Sequence, residues 1–175
     1  NVLQMEGQLN DGFNTDKGVR YLTKVQIINK GGTLFSDDSS ISLAKADEAI
    51  IFISTSTDML DKNYRVSVDK LLANAGETPY KKLKKTHINS YRTKFDRVEL
   101  NLGKQNNDLS TDERLKDFQQ SNDPSFAALY FQFGRYLMIS GTRENSLPLN
   151  LQGLWANTLQ TPWNGDYHLN INVQM

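Results

Sequence analysis

The spacing of apolar residues changes along this chain from every second residue to every third or fourth, and this change limits the folds that the chain can adopt. Residues 19–57 carry the two-residue alternation of strands with one buried face. The clearest alternating positions are Tyr21, Thr23, Val25 and Ile27. Beyond Tyr64 the apolar residues recur at helical spacing, most clearly in residues 123–141. Strands followed by helices are typical of α+β folds, so the sequence predicts an α+β chain.

Turn and strand signals in the first part of the chain predict an antiparallel arrangement. The segment "NKGGT" (residues 29–33) contains a Gly-Gly turn, so we expect a hairpin between the strand before it and a second strand in "LFSDDSSISL". The segment "AIIFIST" (residues 49–55) is a continuous run of β-branched and aromatic residues, which predicts a strand buried on both faces. Short strands separated by turns indicate part of an antiparallel sandwich.

Two helices and one strand are predicted next. Residues 66–75 indicate a short helix, and Gly76 is expected to be its left-handed C-cap. Pro79 is expected to begin a second helix. The alternation in "RVELNLG" (residues 97–103) predicts a strand after that helix.

Capping residues predict two further helices. Ser110 precedes a short helix whose first turn is acidic, as the helix dipole favours. Asp123 and Pro124 predict the start of a longer helix, as its N-cap and its first helical residue, and Gly141 is expected to follow its end. The apolar stripe of that helix is interpreted as core: it consists of Phe126, Leu129, Tyr130, Phe133, Leu137 and Met138.

Charge and composition exclude several classes of function. The 20 Lys and Arg residues balance the 20 Asp and Glu residues, so we expect neither a nucleic-acid nor a membrane partner. Cysteine is absent, which excludes disulfides and thiolate metal sites. No apolar run approaches the ~20 residues that a transmembrane helix needs. Both ends of the sequence read like the inside of a fold, so we expect a piece of a longer protein.

Residues 142–175 lack regular periodicity but are rich in Leu, Ile, Trp and Tyr, which predicts an ordered loop with a function. Their polar residues are mostly amides, with Arg143 as the one arginine and no lysine. Amides pair with hydroxyl groups, and indole rings stack on the apolar faces of sugars, so the composition suits a carbohydrate. In the alternative interpretation Trp155 and Trp163 are core residues, and the amides only satisfy the backbone of the loop.

Several segments resemble one known family. The segment "LPLNLQGLWANTLQTPWNGDYHLNINVQM" resembles the signature stretch of glycoside hydrolase family 95, the inverting α-L-fucosidases. The preceding "ALYFQFGRYLMISGTR" is similar to the first barrel helix of that family, and "HINSYRTKFDRVELNLG" is similar to its linker. Residues 18–59 resemble the late strands of its N-terminal β domain. The resemblance therefore covers nearly the whole chain, and its last thirty or so residues are the specific part.

The resemblance implies a large enzyme with an N-terminal β-sandwich, a helical linker, an (α/α)6 toroid and a C-terminal β domain. Residues 1–64 would be the end of the sandwich, and residues 65–110 a helical linker with a returning strand. Residues 111–175 would be the start of the catalytic toroid.

The resemblance also implies catalytic and binding roles. In the family an acid protonates the glycosidic oxygen while a water attacks the opposite face of fucose, and an aspartate and two asparagines hold that water. The asparagines match Asn170 and Asn172, and a sugar-contacting histidine matches His168. Residues i and i+2 of an extended segment point to the same side, so both amides could face one water. The acid and the aspartate would lie beyond Met175, so we expect the isolated chain to be inactive.

Further substrate-binding residues are expected in the same segment. Trp155 and Trp163 would stack on the sugar, Asp166 would orient the substrate or the loop, and Leu169 would line the pocket at the exocyclic carbon. The expected partners are a fucosylated oligosaccharide or glycan and the remainder of the polypeptide. Neither a metal nor an organic cofactor is implied. Members of the family are often secreted or periplasmic, which a chain without cysteine permits.

Three interpretations of the activity stay open. The parent protein is an exo-acting α-L-fucosidase that prefers α-1,2-linked terminal fucose, or a related α-L-galactosidase, since L-galactose adds one hydroxyl and a hydrophobic pocket rejects a hydroxyl only weakly. Alternatively, the same side chains form a non-catalytic sugar-binding module. In the third interpretation the amides are structural only.

Overall fold

The computed structural model describes residues 1–11, 17–104 and 108–167. Antiparallel strands precede the helices, which confirms the predicted α+β class. The strands are β1 (Val2–Gln8), β2 (Arg20–Lys30), β3 (Thr33–Ser36), β4 (Ile41–Ala44) and β5 (Glu48–Thr57). The helices are α1 (Tyr64–Glu77), α2 (Tyr80–Phe95), α3 (Thr111–Asp117) and α4 (Pro124–Gly141), and a short 3-10 turn spans Pro162–Gly165. The chain forms two compact units, residues 1–87 and 88–175, and the division falls within α2.

The first unit is a three-stranded antiparallel sheet with α1 packed on one face. β2 is the middle strand, with β1 and β5 on its two sides. Leu22 of β2 forms a buried cluster with Tyr64 and Val68 of α1. Ser54 of β5 is also buried, and its hydroxyl donates to the Val68 carbonyl at 3.3 Å. Because a buried hydroxyl must be hydrogen-bonded, this contact ties β5 to the helix.

Two ion pairs flank the contact between α1 and the sheet. Lys24 of β2 pairs with Asp69, and Glu6 of β1 pairs with Arg65. Glu6, Arg65 and Asp69 are largely exposed, so each pair adds little to stability. Their contribution is to orient the helix along the sheet, since each pair joins α1 to a different strand.

The other face of this sheet is apolar and open in the described residues. The prediction that residues 49–55 are buried on both faces is therefore wrong. Ile53 is 69% exposed, and it lies opposite Val25, which in turn lies opposite Leu3. Ile51 is exposed as well. The strand has the composition of a strand buried on both faces, but among the described residues α1 covers one face and the other is open.

The predicted hairpin at the Gly-Gly turn is also wrong. β2 pairs with β1 and β5, while β3 pairs with β4 in a separate two-stranded hairpin. Gly31 and Gly32 both have positive φ, and a Cβ at Gly32 would lie 2.5 Å from the Ala44 carbonyl oxygen. The glycines therefore turn the chain out of the sheet and let it pass close to the end of β4 instead of folding it back onto β2.

Gly76 is not the C-cap of α1, which continues to Glu77 and is followed by an extended Thr78. A Cβ at Gly76 would lie 3.4 Å from the Gln26 side-chain oxygen and 3.6 Å from Ile28. The glycine thus lies inside the helix where α1 approaches β2. These are ordinary van der Waals distances, so the contact with β2 does not require glycine at this position.

The strand predicted at residues 97–103 is absent, and these residues are irregular in the structure. The Arg135 guanidinium of α4 donates to the Val98 carbonyl at 2.8 Å and to the Phe95 carbonyl at 2.9 Å. It also lies over the Phe95 ring, 4.8 Å from the centroid. The backbone carbonyls here are therefore satisfied by an arginine, and no neighbouring strand is needed to pair with them.

The predicted start of α4 is confirmed. The Asp123 carboxylate accepts a hydrogen bond from the Phe126 N–H at 3.1 Å, and Pro124 is the first helical residue. Arg114 of α3 forms a bidentate pair with Asp123, at 2.8 Å from Nε and 3.1 Å from Nη2. The short helix predicted after Ser110 is also confirmed: Ser110 is the N-cap of α3, and its N–H donates to the Glu113 carboxylate at 2.9 Å. In the part of the chain that the structure describes, no helix has the length and apolar character to cross a membrane.

Replacing Val68 by alanine should destabilise the first unit, because Val68 is 0% exposed and its side chain fills the contact between α1 and the sheet. We expect a loss of about 2–3 kcal/mol in the free energy of unfolding. Val66→Ala is the matched control on the same helix, since Val66 is 56% exposed and surface substitutions change stability by about 0.5 kcal/mol or less. Urea denaturation measures both, and equal losses would contradict this packing.

The Arg114 guanidinium, with the Ser125 hydroxyl and the Phe126 N–H, lowers the pKa of Asp123 from 3.8 to about 2. A depressed folded-state pKa gives stability that is present above the ordinary pKa and is lost as pH falls through the folded value. We expect Asp123→Asn to be less stable than the parent at neutral pH, and the difference to shrink as pH falls from 3.8 toward about 2. Asp38→Asn, at an exposed position, is the control in urea denaturation across this range. A difference independent of pH would contradict the prediction.

Candidate functional site

α4 leads directly into the segment that carries the predicted sugar-binding residues. A Cβ at Gly141, the last residue of the helix, would lie 2.8 Å from Leu149 Cδ2, so Leu149 packs directly against the helix end. The Thr142 hydroxyl donates to the Met138 carbonyl at 2.9 Å and satisfies one carbonyl of the last turn. The end of α4 therefore fixes where the loop begins.

Two hydrogen bonds join the beginning of this loop to its end, and we call them the loop clasp. The Leu151 N–H donates to the Asp166 carbonyl at 3.1 Å. The Tyr167 hydroxyl donates to the Pro148 carbonyl at 2.9 Å. The loop clasp closes residues 152–165 into a compact loop with neighbouring ends, a type of loop that is frequently functional.

The end of the loop contains a left-handed turn. Trp163, Asn164 and Gly165 have φ angles of 50°, 56° and 59°. The Asn164 N–H donates to the Thr161 carbonyl at 3.0 Å, and the Asp166 N–H donates to the Trp163 carbonyl at 3.2 Å. A bulky residue such as tryptophan rarely adopts positive φ, because its Cβ crowds the backbone at a cost of about 1–2 kcal/mol. Strain of this kind is concentrated at functional sites, where the surroundings maintain it.

The structure places three of the predicted site residues, all of them exposed. Trp163 is 71% exposed, and Trp155 and Asp166 are exposed as well. In residues 142–167, the two indole rings do not form a ring contact with each other. Neither indole is therefore buried in the part of the chain that the structure describes.

The other predicted site residues lie outside the described residues. They are His168, Leu169, Asn170 and Asn172. Their roles stay predictions from the resemblance. What the structure supplies is the loop that immediately precedes them in the chain.

Three side-chain amides, those of Asn150, Gln160 and Asn164, form hydrogen bonds within the loop itself. Asn150 Oδ1 accepts a hydrogen bond from the Gln152 N–H at 3.0 Å. Gln160 Nε2 donates to Asn164 Oδ1 at 2.5 Å. Part of the amide content thus stabilises the irregular backbone, as the structural interpretation expected, while both indoles are exposed.

Other regions of the second unit do not provide a better site. A cavity of about 610 Å³ lies between residues 99–103 and α4, and none of the predicted sugar-binding residues lines it. Arg114 lines this cavity but is already paired with Asp123. Across residues 1–11, 17–104 and 108–167, no group of three or more His, Asp or Glu side chains could hold a metal ion.

Sequence reasoning did not single out Tyr167 or Gly165. The Asn164-Gly165 dipeptide was a visible turn signal, since Asn and Gly tolerate positive φ. A Cβ at Gly165 would lie 3.0 Å from Thr161 Oγ1, so the position combines left-handed geometry with close packing. For Tyr167 no local signal exists, because its partner Pro148 is 19 residues away.

Comparison with known proteins identifies related chains. Residues 79–175 match the model of the glycosyl hydrolase family 95 catalytic domain. Alpha-L-fucosidase 2 of Arabidopsis thaliana is 34% identical over 93% of this chain and 21% of its own length. "Probable alpha-fucosidase A" of Aspergillus niger is 33% identical over 90% of this chain and 22% of its own length. The protein of the same name from Aspergillus oryzae is 36% identical over 62% of this chain and 16% of its own length.

This chain thus spans about a fifth of the length of the first two relatives. The family model covers more than half of the chain, including α4, the loop clasp and the segment that contains the predicted asparagines. Together with the relatives, this match shows that the chain belongs to glycosyl hydrolase family 95.

Proposed function

We propose that this chain is part of an exo-acting, inverting glycoside hydrolase that releases terminal α-L-fucose, with α-1,2-linked fucose as its substrate. The observation that carries the proposal is the exposed, tryptophan-bearing loop after α4, inside a segment that matches the family's catalytic domain. The relatives' names support the sugar, since they describe α-L-fucosidases.

The chemistry of the loop agrees with a neutral sugar. Residues 142–167 contain one arginine and no lysine, so they carry little positive charge to attract a phosphate or a carboxylate. The exposed faces of Trp155 and Trp163 suit the apolar face of a pyranose ring. Asp166, also exposed, can accept hydrogen bonds from sugar hydroxyls. His168 and Leu169 would contact the sugar ring and its exocyclic carbon.

Inversion requires two groups on opposite sides of the scissile bond, separated widely enough to admit a water. We assign Asn170 and Asn172 to that water. A neutral amide cannot remove a proton at neutral pH, but it can accept a hydrogen bond and direct a lone pair toward the anomeric carbon. The general acid and the carboxylate base would come from the rest of the polypeptide, so the isolated chain would bind sugar weakly and not hydrolyse it.

Two open apolar surfaces support the proposed architecture. The face of the sheet that carries Ile51 and Ile53 would be covered by a second sheet, as in a sandwich. On α4, a groove of about 330 Å³ lined mainly by Phe126, Leu129 and Phe133 would take neighbouring helices of an α/α toroid. Residues 1–64, 65–110 and 111–175 would then be the end of the sandwich, the linker and the start of the toroid.

The first test is proton NMR of the full-length enzyme acting on a fucosyl-α-1,2-galactoside, with the anomer of the released sugar followed from the first minutes. We expect β-L-fucose to appear first and to mutarotate afterwards, because water attacks the face opposite the leaving group. Initial α-L-fucose would contradict inversion. Release from an α-L-galactoside alone would keep the mechanism and change the substrate, and release from neither would favour a binding protein.

The second test concerns the water-holding asparagines. Asn170→Ala should lower kcat by about a hundredfold or more, because a misplaced nucleophile loses most of its reactivity. Asn89→Ala is the matched control, since Asn89 is exposed on α2, outside the proposed site. Steady-state kinetics of both variants, with thermal melting to verify folding, measures the effect. Unchanged kcat in a less stable Asn170→Ala protein would support a purely structural amide.

A further inference from the structure

Tyr167 is the last described residue before the segment that carries the proposed catalytic asparagines. Its hydroxyl donates to the Pro148 carbonyl at 2.9 Å, across 19 residues of chain. The neighbouring Asp166 carbonyl accepts from the Leu151 N–H at 3.1 Å. Two consecutive residues are thus attached to the beginning of the loop, and the chain continues from them into His168 and Asn170.

Burial of the Tyr167 side chain is not its main contribution to the structure of the loop, because the residue is 43% exposed. A single hydrogen bond in contact with solvent adds little to global stability. Its effect is geometric: a rigid ring with few rotatable bonds holds the backbone at residue 167 at a fixed distance from residue 148.

A left-handed turn directly precedes the two attached residues. Trp163 and Asn164 occupy a backbone conformation that side chains rarely adopt, and the strain is relieved if the turn opens. The loop clasp opposes that opening from the C-terminal side, since it follows the turn directly. The Tyr167 hydroxyl and the Leu151–Asp166 hydrogen bond both hold the end of the turn to the start of the loop.

We propose that Tyr167 is a positioning residue, which acts through His168, Asn170 and Asn172 by fixing the start of the segment that carries them. The inference rests on the proposed function, since it assigns Tyr167 a part in aligning the attacking water and the sugar. Tyr167 itself does not need to contact the substrate.

The test is Tyr167→Phe in the full-length enzyme, with Thr158→Val as the matched control. Each substitution deletes one hydroxyl that donates to a backbone carbonyl at 2.9 Å, in the loop clasp for Tyr167 and inside the loop for Thr158. We expect Tyr167→Phe to lower kcat about tenfold to a hundredfold, the loss that a displacement of about 1 Å produces. KM should change by about twofold or less, and Thr158→Val should match the parent.

A double variant separates positioning from a general structural effect. If Tyr167 acts through Asn170, then Tyr167→Phe should cost little further activity in the Asn170→Ala background, because the effects of coupled residues do not add. Fully additive losses would overturn the inference, as would a Tyr167→Phe enzyme with the parent kcat. A fall in melting temperature with unchanged kcat would assign Tyr167 a structural role only.

The outcome for the parent enzyme keeps the two proposals apart. If the parent hydrolyses neither α-L-fucosides nor α-L-galactosides, the proposed function is wrong, and so is the positioning role of Tyr167. If the parent is active and Tyr167→Phe equals Thr158→Val, only the positioning role is wrong.

Discussion

The bidentate ion pair between Arg114 and Asp123 holds the residue that caps α4, the helix that leads into the loop. The Asp123 carboxylate also caps the helix, so one buried side chain serves two elements. Charge pairing compensates the cost of burying the carboxylate, and this pairing is why the pKa of Asp123 is lowered to about 2. At the other end of α4, Leu149 packs directly against Gly141, where the loop begins.

Unpaired apolar surface is the second constraint on this chain. Soluble proteins seldom leave large contiguous apolar areas in contact with water. Here the sheet face around Ile53 and the α4 stripe around Phe133 are both exposed. The proposed sandwich and toroid would cover them, and the chain spans only about a fifth of the length of its first two relatives. The same surfaces that stabilise the proposed enzyme would promote aggregation of the isolated chain.

Local signals predicted the ends of helices well and the pairing of strands poorly. Asp123 and Pro124 mark the start of α4 correctly, because a cap is satisfied within one helical turn. The predicted hairpin at the Gly-Gly turn and the predicted strand at residues 97–103 were wrong, because strand pairing depends on a partner elsewhere in the chain. β2 pairs with β1 and β5, and the Val98 carbonyl accepts a hydrogen bond from Arg135. Gly76, expected to be a C-cap, lies inside α1 next to Gln26 and Ile28 of β2.

The α+β class, the helix start at Asp123 and the family can be predicted from the residues alone, since these depend on spacing and motifs within short segments. The kinds of side chain available for a sugar can be read from the residues as well. The exposure of the two tryptophans and the hydrogen bond from Tyr167 to Pro148 are visible in the folded chain and not in its residues. The reason is physical: a hydrogen bond between groups 19 residues apart depends on how the intervening loop closes, and no local pattern encodes that closure.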